Sequence, residues 1–450
     1  MLELLQNSQT PSLRKIRQVV LEMVESAIKS VDPFLATQRW LGVENGKLSI
    51  GGYQFDLDEV GRIIVVGGGK AGAAMALALE RTLADRISGG LVNVPKGTIM
   101  EKPERIELVK AGHPIPTESG RRGVLRMLEL LKGLNQKDLV ICLISGGGSA
   151  LMPLPAGDIG LNELQKTTQL LLRSGANIQE INAVRKHLST IKGGQLTRIA
   201  YPARIVSMII SDVVGDRLDT IASGPTYPDS TTYADALNVL GQHGLTDKVP
   251  QKILARLRAG AEGKIPETPK PGDECFKHAY FRIIASNIDA LRAAAEVGKA
   301  HHFNPRILTT EMQGEAREVG KWLAKEAKMC KEAALRPAVL LSGGETTVTV
   351  TGKGMGGRNQ ELVLGAVEEI ARLENVALAS FSTDGVDGPT DAAGAIADSF
   401  TLERAQRLGL NPLTYLEENN SYSFFKELKD LIITGPTGTN VMDVAIACIG

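Results

Sequence analysis

Two glycine-rich turns that each carry a cation are the first candidates for chemistry: Gly67-Gly68-Gly69-Lys70-Ala71-Gly72 and the run GKGMGGRNQE at 352–361. Glycines let a ligand approach backbone N–H groups closely, and a helix starting beside them favours an anion through its dipole. Lys70 adds a point charge, and Arg358 can grip a phosphate or carboxylate through two parallel N–H bonds. A third turn, Ser145-Gly146-Gly147-Gly148-Ser149, follows the apolar run LVICLI and carries no charge itself. It reads as a cradle of N–H groups for an anion, or more plainly as a tight strand-to-helix connection. A similar SGGE turn, ending in Glu345, follows the strand at 338–341.

Carboxylates fall in two groups, Asp212, Asp216 and Asp219 after one apolar run and Asp384, Asp387 and Asp391 after another. Acids at strand ends of an open α/β sheet can hold Mg²⁺ with a nucleotide's phosphates or accept a hydroxyl proton. Asp before Gly is also ordinary turn chemistry, so turn and function weigh equally at Asp384 and Asp387. Asp212 and Asp384 are the candidate metal ligands, and Asp212 the candidate carboxylate for proton transfer. Asn182, Arg185 and Lys186 share a helix, with Lys192 beyond it, and as a group beside a phosphate loop they become anion contacts. Asn359 reads either as a ligand contact or, with Glu361, as a helix cap. Ser149 is not read as a nucleophile, because GGGSA is not the GxSxG elbow. The expected nucleotide or substrate contacts are therefore Gly68, Gly69, Ser145, Gly146, Gly147, Gly148, Ser149, Arg185, Lys192, Glu345, Asn359 and Asp387.

The first turn also fits GxGxxG, which makes an NAD(P)H-linked oxidoreductase a rival. That fingerprint needs an acid at the end of the next strand to hold the ribose, and here the strand ends Asn93-Val94-Pro95-Lys96. NADP tolerates a cation there, so the rival is weakened and not removed. A P-loop fails, since GxxxxGK[ST] would need Gly where Ile64 stands and Ser or Thr where Ala71 stands.

The chain that must position these residues has 450 of them, too many for one ordinary core, so two domains are expected. Lys plus Arg equals Asp plus Glu at 51 each, which leaves no global field to recruit nucleic acid or an anionic membrane. Cys142, Cys275, Cys330 and Cys448 lie far apart with no metal-ligand spacing, as suits a reducing cytoplasm. No apolar stretch has the length of a membrane span, and the N-terminal residues lack the apolar core of a signal peptide.

Short apolar runs alternate with helical patterns throughout, which predicts α/β domains with mostly parallel sheets. Strands are expected at 62–66, 139–144, 205–210, 281–285, 338–341 and 377–381, and a docking helix without chemistry at 13–30. The proline-rich, mixed-charge stretch at 263–277 reads as a linker, so the chain is divided into 1–275 and 276–450. Both halves run strand, SGG, helix, strand, Ser-(Thr)-Asp and GPT, a hint of two related halves facing one cleft.

Taken together, LISGGGSALMPLP, NAVRKHLSTIKGGQL, SDVVGD, IASGPT, GGETTVTVTGKGMGGRNQE, STDGVDGPTDAAG and TGPTGTNVMD closely resemble the glycerate kinases of the MOFRL family. Relatives of that family also carry the label hydroxypyruvate reductase. The resemblance runs from about residue 65 to 443. It implies two α/β domains, the first Rossmann-like, with an active site in the interdomain cleft. It further implies ATP-dependent phosphorylation of D-glycerate at the 2-hydroxyl, with ATP and Mg²⁺, and it places Lys70 and Arg358 in the activity. The remaining alternatives are an NAD(P)H-dependent hydroxypyruvate reductase and, third, a two-lobed binding protein for a small hydroxy acid. The expected partners are ATP and D-glycerate in the cytoplasm, with no nucleic acid and no membrane, and with room for a homodimer.

Overall fold

Between residues 33 and 284 the short apolar runs become the strands of one sheet, with helices on both faces. The computed structural model describes residues 2–98, 101–333, 335 and 337–450, and divides them into a unit of 33–284 and a unit of 1–32 with 285–450.

The first of these units opens with an antiparallel meander of β1 (Leu41–Glu44), β2 (Lys47–Ile50) and β3 (Tyr53–Asp56). Its main sheet holds β4 (Ile63–Gly68), β5 (Ile87–Pro95), β6 (Ile106–Ala111), β7 (Leu139–Ile144), β8 (Arg204–Ile210) and β9 (Ala279–Ala285), in the order β6-β5-β4-β7-β8-β9. From β6 to β8 every pairing is parallel. All positions of β4 and β7 are buried, as expected of central strands covered on both faces. The chain moves outward to one side through β5 and β6 and then returns to the other side of β4 with β7. That reversal is a topological switch point, and ligands of open α/β sheets bind at the carboxyl ends of the strands there. The Rossmann-like expectation for this half is met.

The other unit carries β10 (Asn304–Met312), β11 (Ala338–Gly344), β12 (Val376–Ser382), β13 (Gly394–Asp398), β14 (Leu431–Ile432) and β15 (Asp443–Ile449), in the order β10-β11-β15-β12-β13-β14. Only β10 and β11 pair in parallel, so the expectation of a mostly parallel sheet does not hold here. The physical reason is β15. The C-terminal strand inserts antiparallel between β11 and β12, and thereby belongs to this sheet and not to the first.

The division at 275 also moves. The segment 263–277 is not a free linker: Thr268 is buried with its hydroxyl on Asp229, Lys270 reaches the Thr231 carbonyl, and Asp229 N–H donates to the Pro269 carbonyl. Its prolines shape a strap pinned to the 33–284 unit. At the other end, the helix Pro11–Ser30, capped by Thr10, packs on the helix Asn287–Ala300 and on β12 and β15. Within it Arg17 is fully buried and ion-paired to Asp398 and Asp430, both equally buried. The N-terminal helix is thus a piece of the second unit's core, supplied from the far end of the chain.

Candidate active site

At the carboxyl ends of β4 and β7 two glycine turns are stitched together. Lys70 N–H donates to the Gly146 carbonyl at 2.8 Å, and Ala71 N–H to Ser145 Oγ at 3.0 Å. Their approach leaves no room for side chains: a Cβ on Gly69 would stand 2.0 Å from Ser145 Oγ, and one on Gly146 would stand 2.0 Å from Asp212 Oδ2. Gly147 has a left-handed backbone at φ 78°, and a Cβ there would fall 2.8 Å from His113 Cδ2 and 3.5 Å from Lys70 Cγ. Lys70, His113 and Asp212 therefore converge on Gly146 and Gly147. The helix Gly72–Leu83 starts directly after Lys70 with no side-chain cap. Partial burial and the charge of Lys70 lower the His113 pKa, so this imidazole stays neutral at neutral pH.

The turn continues into Gly148 and Ser149, whose Oγ is 2.6 Å from Ser223 Oγ. Ser223 in turn donates to Asn182 Oδ1 at 2.9 Å. Among the described residues no base stands in this chain of contacts. Ala222 and Ser223 both hold left-handed φ, 51° and 61°, a costly conformation for consecutive non-glycine residues that marks loops held for function.

Of the three acids after β8, Asp212 lies against the turn, whereas Asp219 is engaged by Arg217 and Lys186. Lys186 is buried on Asp229, and His187 is bonded to the Ala183 carbonyl and faces Glu267. Both belong to the scaffold. Arg185 and Lys192 instead line a cavity of about 360 Å³ that shares Gly147 and Ser149 with the turn. Lys192 donates to the Met152 carbonyl at 2.9 Å, and burial together with Arg185 lowers its pKa to about 7.

In the second unit the expected residues gather around the start of the helix Arg358–Ile370. Arg358 is held by both oxygens of Asp443, at 2.5 and 2.9 Å, and by Glu345 at 2.8 Å. These carboxylates raise its pKa against the cost of burial. Asp387 is buried and caps the helix: Oδ1 accepts from the backbone and side-chain amides of Asn359, and Oδ2 from those of Gln360. Burial raises its pKa to about 6, against the pull of these donors. Asn359 also accepts from Ser380. Glu361 is no cap, since it pairs with Arg317 and Asn419. Asp384 accepts from Ser382 Oγ and Val386 N–H, beside the loop that carries Thr437.

Two glycine segments expected here as turns are built differently. Ser342, Gly343 and Gly344 lie in β11 and pair in register with β15, so SGGE is strand where SGGGS is turn. The first part of the GKGMGG loop is bonded to residues 418–420: Gly352 N–H donates to Asn419 Oδ1, Gly354 N–H to the Glu418 carbonyl and Met355 N–H to Asn420 Oδ1. The residue missed by sequence reasoning is Asp443. Its signal is a lone acid at the head of an otherwise apolar strand, DVAIACI.

Among the described residues no three His, Cys, Asp or Glu side chains form a closed metal cage, and no helix is long and apolar enough to cross a membrane.

Comparison with known proteins gives two family matches, the first of which runs across the boundary between residues 32 and 33. Residues 19–258 match a family described as a domain of unknown function (DUF4147), and residues 338–443 match the MOFRL family. The D-glycerate 2-kinase of Thermotoga maritima is 41% identical over 96% of this chain and 98% of its own. A putative hydroxypyruvate reductase of Agrobacterium vitis is 39% identical over 96% of this chain and 94% of its own. The crystal structure of glycerate kinase from Thermotoga maritima superposes with a TM-score of 0.86 at 39% identity, covering 97% of this chain and 100% of its own.

Proposed function

The chain belongs to the glycerate kinases of the MOFRL family, and from that premise we propose that it transfers the γ-phosphoryl group of ATP to the 2-hydroxyl of D-glycerate. The observation that carries this reading is the meeting of Lys70, Asp212 and the Gly146-Gly147 turn at the switch point of the first sheet. Phosphoryl transfer asks a protein for positioning and charge neutralisation more than for covalent chemistry. Lys70 and the glycine turn hold the transferring phosphate. Arg358, fixed by Asp443 and Glu345, keeps a rigid guanidinium for a phosphate or for the carboxylate of glycerate. The hydroxyl oxygen of glycerate forms a bond to phosphorus, the bond to the β-phosphate oxygen breaks, and the hydroxyl proton passes to Asp212.

Mg²⁺ normally keeps several waters and takes one or two carboxylates plus substrate phosphates, so it needs no closed protein cage. Asp212, half-buried against a phosphate-type turn, fits that donor set as the single protein carboxylate and would hold the ion. When bound, the ion neutralises charge on the phosphates.

The hydride-transfer alternative fares worse at the end of β5. The strand's last residues, Asn93-Val94-Pro95, include no ribose-binding acid, and the Asn93 amide is spent on the Gly120 and Leu151 carbonyls. The test is ADP release that requires D-glycerate, against loss of NADH absorbance with hydroxypyruvate. In single turnover, Asp212→Asn is expected to slow transfer, and a wild-type rate with unchanged Mg²⁺ dependence would remove Asp212 from both roles.

A further inference from the structure

The cavity beside the SGGGS turn is oversized and too apolar for a three-carbon acid. Its volume of about 360 Å³ falls in the range of sites for drug-sized molecules. One wall is the His113–Pro116 turn, and the other is a face of the helix Leu161–Arg173 that presents Leu164, Thr168 and Leu172 at helical spacing. Ile115 and Leu172 are each 59% exposed, so two large apolar side chains meet solvent on opposite walls of one hollow. A hollow lined mainly by apolar side chains with a few converging polar groups is the usual form of a small-molecule site.

The polar groups are as one-sided as the walls. Arg185 and Lys192 line the cavity side by side, and Lys192 is only 4% exposed. Neither has an acidic partner among the described residues; Lys192 has only a neutral carbonyl. Two desolvated cations without a counter-charge are expensive to keep, and a bound anion would offset the cost. Burial lowers the pKa of both, and in Lys192 the charge of Arg185 adds to it. The cavity reaches Gly147, where an added Cβ would fall 2.8 Å from the lining residue His113 and 3.5 Å from Lys70 Cγ.

We propose that this cavity is the nucleoside-diphosphate site of the kinase: the base lies between Ile115, Pro116, Leu164 and Leu172, and the α- and β-phosphates lie over Arg185 and Lys192. The γ-phosphate then reaches Gly147 and Lys70. The exposed amide of Gln169, on the same helix, is placed to read the edge of the base. This assignment rests on the kinase reading and adds to it which unit takes the nucleotide.

The test uses the full chain with Thr168→Trp, a half-exposed position where an indole fills the hollow without entering the core, and with Arg185→Gln. Folding is checked by circular dichroism, and binding of ADP is measured by calorimetry without turnover. The expected result for Thr168→Trp is an ADP Kd and an ATP KM raised about tenfold or more, with the D-glycerate KM within about twofold. Arg185→Gln is expected to weaken ADP and leave adenosine unchanged. A folded Thr168→Trp that binds ADP as before, or one whose KM rises for glycerate instead, overturns the proposal. Should the unmodified chain bind ADP at this site yet fail to phosphorylate glycerate, the kinase reading falls and the nucleotide site stands. Turnover of glycerate with ADP binding indifferent to Thr168→Trp has the opposite meaning.

Discussion

Lys70 and Arg358 present their charges by different means, and their substitutions should differ accordingly. Lys70 acts as a point charge beside a glycine turn. Lys70→Met should therefore lower kcat by about 10²–10³-fold while the fold is unchanged, read by steady-state kinetics and circular dichroism. Arg358 depends on a planar fork gripped by both oxygens of Asp443. Lysine cannot reproduce that grip, so Arg358→Lys should lose most activity although the charge is kept. Lys192 predicts a pH signature. Its folded pKa lies at about 7, below the ordinary 10.5, so the folded chain binds fewer protons than the unfolded chain between these values. Its contribution to stability is present above the unfolded pKa and is lost as pH falls through about 7. Denaturation across pH 7 to 10 should show unfolding free energy rising with pH, and Lys192→Met should flatten that rise.

Elements explain how much could be read beforehand. The strands around Ile63–Val66, Leu139–Ile144 and Arg204–Ile210 were legible because parallel central strands are nearly continuous apolar runs that end in glycine or in Ser-Asp. The meander β1–β3 was missed although Asn45-Gly46 and Gly51-Gly52, with positive φ at all four, are strong two-residue hairpin signals. SGG at 145–147 and SGG at 342–344 are alike in composition, and only the neighbouring strand separates them. In β11 the partner β15 comes from the far C-terminus, a pairing that no local pattern discloses. The same non-locality hid the role of Asp387, which caps a helix beginning 29 positions earlier at Arg358. Asp387→Ala should remove the cap and strand buried amides of Asn359 and Gln360, costing about 2–3 kcal/mol in a denaturant titration. Arg17 makes a similar point, as an arginine on the apolar face of a docking helix whose partners lie some 400 residues away. Arg17→Ala should leave Asp398 and Asp430 with less compensation and destabilise the chain by about 3–5 kcal/mol.

At the scale of the whole molecule the chain is two folding units, one of them closed by its own N-terminus. A fragment of 33–284 should fold by itself, whereas 285–450 should need residues 1–32, whose helix completes its core. Each unit offers its own charged equipment, Lys70 with Asp212 in one and Arg358 with Asp443 and Glu345 in the other. That division suits a kinase, which must recognise two different anions, and it is more equipment than a binding protein needs. The central claim is tested most directly by incubating the protein with ATP, Mg²⁺ and D-glycerate and identifying the product by phosphorus NMR. The account predicts ADP and 2-phosphoglycerate in equal amounts, and no ADP when glycerate is left out. A product phosphorylated at the 3-hydroxyl, or no phosphorylation together with NADH consumption on hydroxypyruvate, would contradict it.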